Sequence, residues 1–224
     1  MTALKVYGAA IARWLGLIGL FLSGFVFAAY SLRFGLRGLG TDLSAETYIY
    51  SSGAPLINLA IFSHMALGAA IMVLVPLQLF TASRQRIAQL HRVLGRVIVL
   101  GAMCIALGGL AYIGLRGTIA GPLMDLGFGV YGGLFLLAAA QTFRYARAGN
   151  HDRHRDWALR LFVLIMGSLL FRLHYVIWFL LTDGLWSTEQ LDGPFDKVQY
   201  FAFYLPYLIV LEVWLRRRGV ARAE

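Results

Sequence analysis

The sequence predicts an all-α fold: an integral membrane six-helix bundle with both termini on the cytoplasmic side. Three observations lead there. Of 224 residues, 59% are hydrophobic and only 14% charged, with a mean hydropathy of +0.70. An ordinary soluble domain is roughly 45–50% apolar and about 25% charged, and a chain of this size has too little interior to hide the excess, which must therefore face lipid. Six apolar stretches each reach the ~20 residues that a helix needs to cross a hydrocarbon core of ~30 Å. Finally, the Lys and Arg residues gather on alternate connections, the pattern that fixes orientation in a membrane.

The elements follow in order. The stretch at residues 14–32 comes after Lys5 and Arg13; Val26-Phe27-Ala28 offers a passable cleavage site, but the run is long for a removable leader and is read as a retained helix. Residues 56–80 form a second apolar run carrying His64, and residues 93–113 a third, preceded by Arg84, Arg86, His91 and Arg92. Residues 123–145 are rich in glycine, with Gly127, Gly129, Gly132 and Gly133. Residues 157–181 follow a basic segment with Arg153, His154 and Arg155, and residues 198–215 run into Arg216, Arg217 and Arg218. With both termini inside, only Arg33, Arg37, Arg116 and Lys197 fall outside, and Arg172 is left within a helix. Asp42, Glu46, Asp183, Asp192 and Asp196 lean to the outer side. No linker divides the chain, so residues 1–224 read as one transmembrane domain.

The formal charge of +9 is accounted for by this topology and calls for no nucleic acid. The single cysteine, Cys104, lies in an apolar run and excludes a disulfide framework. No phosphate-binding Gly-Lys-Ser/Thr loop, His-Glu-x-x-His run or Gly-x-Ser-x-Gly elbow occurs.

Ionisable side chains at membrane depth are costly and mark functional candidates. At 1.5 Å per residue, His64 lies roughly 12 Å, and His174 roughly 10 Å, in from the outer ends of their helices. Two histidines at one level on different helices suit a b-type haem held edge-on by an axial ligand from each. A ring between helices needs small neighbours, and Gly68 and Gly167 stand one and two turns from these histidines on nearly the same faces. The expected function is electron transfer or haem handling. Other readings stay open: the pair could bind a metal ion, relay protons in a small transporter, or be structural in an accessory or assembly subunit of a larger complex, and glycine is common in membrane helices anyway. Arg172 wants an anion, which a haem propionate, a lipid phosphate or a loop carboxylate would supply, or it snorkels outward. On the inner side His91, Arg92, Arg96, His154 and Arg155 form a basic cluster. Contact with anionic lipid explains it most simply; a quinone headgroup, another anion or a partner protein would be a sharper use.

The segments SHMALGAAIMVLVPLQL with His64, LHRVLGRVIVL with His91, Arg92 and Arg96, HRDWALRLFVL with His154 and Arg155, and FRLH with Arg172 resemble a bacterial family of predicted multi-spanning membrane proteins of unknown function. The resemblance spans about half the chain and implies the fold and residence in the bacterial inner membrane. The plan is also similar to the transmembrane b-type cytochromes, which hold haems with histidines of neighbouring helices; those show two intramembrane histidine pairs where this chain shows one.

Overall fold

The computed structural model describes residues 3–81 and 87–220. Arg84, Arg86 and Arg222, which count toward the basic connections, lie outside the described residues. Among the described residues there are seven helices and no strand: α1 (Ala3–Gly40), α2 (Pro55–Thr81), α3 (Ala88–Arg116), α4 (Pro122–Arg147), α5 (His151–Thr182), α6 (Pro194–Ala202) and α7 (Leu205–Val220). Five spans are long and apolar enough to cross a membrane, the last made of α6 and α7 together. With α1, which contains the first predicted stretch, they account for all six and form an integral membrane bundle.

The helices run past the apolar stretches that predict them, because each peptide group gains by continuing the ladder until a proline, glycine or cap intervenes. Pro55, Pro122 and Pro194 open α2, α4 and α6, where a missing N–H costs nothing. The Asn150 side chain accepts from the Arg153 N–H at 3.0 Å to start α5, and Asp183, at φ +53°, ends it. The sixth stretch differs from the single helix expected over residues 198–215. It begins at Pro194 and breaks at Phe203–Tyr204, since Pro206 has no N–H for the Ala202 carbonyl and its ring crowds that oxygen.

Successive helices pack side by side from α1 to α5; α2 also meets α5, α6 lies on α4, and α7 on α5. Glycine lets two pairs of backbones touch. A Cβ on Gly35 would stand 2.8 Å from the Phe62 carbonyl oxygen, joining α1 to α2, and one on Gly108 would stand 2.8 Å from the Ala60 oxygen, joining α3 to α2. Ile71, Ala102, Ala139, Leu164, Phe203 and Tyr204 form the shared core, while Leu180 and Leu181 are 80% and 77% exposed, as lipid-facing residues must be. At the basic end Arg160 donates from Nε and Nη2 to Glu212 Oε2, at 3.1 and 2.6 Å, clamping α5 to α7.

Gly108→Val should lower the unfolding midpoint of the detergent-purified protein, at a cost of about 1–3 kcal/mol for overpacking. Gly133→Ala, where a Cβ meets nothing within 4 Å, should leave the midpoint unchanged in the same thermal scan.

Candidate functional site

Beneath the acidic connections the helices enclose a cavity of about 490 Å³, a size within the ~300–1,000 Å³ range of small-molecule sites. Phe27 of α1, Gly68 and Met72 of α2, Gly109 of α3, Phe128 and Tyr131 of α4 and Phe171 of α5 contribute to its wall. His64 and Arg172 are the only residues of that lining with ionisable nitrogen. They lie nine residues after the start of α2 and ten before the end of α5, so both sit about 14–15 Å in from the acidic end.

His64 Nδ1 lies 2.7 Å from the Ile105 carbonyl oxygen of α3. A carbonyl only accepts, so Nδ1 carries the proton, and in the neutral ring Nε2 keeps its lone pair. The ring fits there because α3 has a glycine opposite it: a Cβ on Gly109 would stand 3.1 Å from His64 Cε1 and Nδ1. Gly68 borders open cavity, since a Cβ there meets nothing within 4 Å.

Arg172 Nη1 donates to the Ser168 carbonyl at 3.0 Å and to Ser168 Oγ at 3.3 Å, and its guanidinium lies 4.4 Å from the Phe27 ring centroid. Among the described residues it forms no ion pair. A cation at this depth, with hydroxyl, carbonyl and π partners but no anion, is incompletely compensated.

The cavity does not include His174. That ring lies outside the lining, with Nε2 2.7 Å from Tyr207 Oη and Nδ1 on the Gln199 amide. Both nitrogens are thus taken by α6 and α7, elements that sequence spacing does not put on any particular side of α5. Gly167 also serves something other than a ligand: a Cβ there would stand 3.1 Å from the Tyr131 hydroxyl, which donates to the Leu164 carbonyl at 2.5 Å. At the basic end His91 is bound by Thr81 Oγ1 at 3.1 Å and Gln78 Nε2 at 3.3 Å, and His154 Nδ1 by the Thr142 carbonyl at 3.0 Å. These histidines tie helix ends together, and the side chains of Arg92, Arg96 and Arg155 are exposed around them.

Sequence reasoning misses the roof. Asp196 is fully buried and its carboxylate accepts four bonds: Tyr175 Oη at 2.7 Å, Ser187 Oγ at 2.8 Å, and the N–H groups of Gly193 and Thr188 at 2.9 and 3.0 Å. This fixes the connection that carries Leu191 over the cavity, and the Tyr200 hydroxyl holds the Leu191 carbonyl. On the far side Arg116 donates to the Ile49 carbonyl at 3.1 Å and to Ser51 Oγ, with Tyr48 beneath it at 4.5 Å. The one hint of Asp196 in the sequence is its place three residues after Gly193, where a carboxylate caps a helix start. Among the described residues no three His, Cys, Asp or Glu side chains gather as a bare metal ion requires.

Fold and cavity together define a multi-spanning α-helical membrane protein. Residues 61–214 match the family model described as Predicted membrane protein (DUF2306), and the chain belongs to that family. No curated protein and no solved structure matches it.

Asp196→Asn should cost about 2–3 kcal/mol, the scale of hydrogen bonds to a buried charge, and should expose residues 183–193 to proteolysis. Ser187→Ala, which removes one of four donors, should do less by both measures.

Proposed function

We propose that the protein is a membrane-embedded haem protein acting in electron transfer or haem handling, in which the cavity would take one b-type haem and His64 would hold it. The observation that carries this reading is the His64 Nδ1–H bond to the Ile105 carbonyl on the wall of a mainly apolar cavity. Metal-ligating histidines are held in this way, one nitrogen anchored to a carbonyl and the other left basic. The wall also suits the group: Phe128, Tyr131 and Phe171 offer aromatic surface to a flat macrocycle, and Arg172 offers a cation to a carboxylate.

When bound, haem supplies an iron whose potential the axial ligand and its surroundings set. The chain's own residues then have defined tasks. Ile105 holds the imidazole in one tautomer, Gly109 leaves room for its ring, Arg172 would receive a propionate, and Leu191 and Ile49 would cover the group at the acidic end. His174 acts from outside, through Gln199 and the Phe171 carbonyl. The charge bias supports the basic end as cytoplasmic; on this reading the haem would lie in the outer leaflet, and the membrane would be a bacterial inner membrane.

The test is the absorption spectrum of the purified protein before and after reduction. A Soret band with b-type bands on reduction is expected. His64→Ala should abolish it, whereas His174→Ala should retain it. Arg172→Gln should weaken haem retention by about tenfold or more, as one charge-assisted bond is lost. Wild-type protein that stays colourless after growth with added haem would sink the reading and favour an accessory subunit, sought by co-purification.

A further inference from the structure

Arg172 lines the cavity and is also exposed at the surface of the bundle. Both hold because the helix in front of it packs closely on α2 but sparsely on α5. Among the described residues α1 packs along α2 and barely meets α5, whereas the seams α2–α3, α3–α4 and α4–α5 are closely packed. The α1–α5 seam is closed by the Phe27 ring under the Arg172 guanidinium and by Gly24 against Leu169, where a Cβ on Gly24 would stand 3.5 Å from Leu169 Cδ2. The acidic end is tied down on both sides, by Asp196 under the Leu191 connection and by Arg116 on residues 49–51. The weakest wall of the cavity therefore faces the bilayer and not the water.

We propose that the α1–α5 seam is a lateral portal with a carboxylate-recognition site at its threshold: the cavity takes amphiphilic carboxylates from the membrane, and Arg172 exchanges the Phe27 ring for the carboxylate head. The proposal rests on the reading of the cavity as a ligand site, and haem is one member of the class. The exchange is favourable in kind, because a guanidinium at membrane depth gains more from a bidentate carboxylate than from a ring face. The apolar body of the ligand meanwhile leaves lipid for an apolar chamber, at little change in solvation. Phe27 is the moving part, since its helix is held by α2 and packs only sparsely on α5.

The test uses the full chain in phospholipid vesicles, with Gly24→Cys and Leu169→Cys introduced in a Cys104→Ser background and joined by a short thiol cross-linker that dithiothreitol releases. The probe is cis-parinaric acid, a fluorescent polyene carboxylate, followed by energy transfer from the protein's tryptophans; its methyl ester is the control. Cross-linking should slow uptake at least tenfold, with recovery on release, and the open protein should bind the acid at least tenfold better than the ester. Phe27→Ala, which needs no cross-link, should speed both uptake and release. Equal uptake by cross-linked and open protein, equal binding of acid and ester, or no binding of the acid by open protein would each overturn the proposal. Failure of the haem reading looks different: a colourless protein that still takes up the acid through the seam.

Discussion

A polar side chain inside a hydrocarbon layer can bond only to the protein, and the bundle is arranged around the few that it carries. His64 leans on the Ile105 carbonyl, His154 on the Thr142 carbonyl, His91 on Thr81 and Gln78, and His174 on Gln199 and Tyr207. Each bond crosses from one helix to another and so fixes rotation as well as depth, which apolar packing alone does weakly. Of these histidines, only His64 stands on the cavity wall. Arg172 has no anionic partner among the described residues, and it faces that same space.

The second constraint acts at the acidic end. A fully buried carboxylate is expensive unless its oxygens are occupied, and Asp196 meets the condition with two hydroxyls and two backbone N–H groups. Those donors come from α5 and from the connection before α6, so one side chain sets where a polar loop lies over an apolar chamber. Neither the roof nor the chamber would be defined if that loop were free to sample other positions.

Much of this architecture was legible in the residues. The apolar runs from residue 56 onward located the five candidate spans, because backbone in lipid must bond to itself and runs of ~20 apolar residues do so as helices. Helix ends were less legible, since the ladder continues into charged turns such as Arg92 and Arg116 that a hydrophobicity pattern discounts. The site was legible by depth and not by direction. His64 stands nine residues after the start of α2 and His174 eight before the end of α5, yet spacing along one helix is silent about which neighbour lies on which side, and α6 and α7 claim His174. Gly109 was hidden among many glycines, and its use shows only when the His64 ring is set against it. The Arg160–Glu212 clamp spans 52 positions, a separation that no local pattern reports.

The division between α1 and the remainder has a mechanical side. The bond that orients His64 joins α2 to α3, and the wall bearing Phe27 and Ser31 takes no part in it. A change in the packing of α1 therefore alters the shape of the chamber's edge while the anchoring geometry of the imidazole stays as it is.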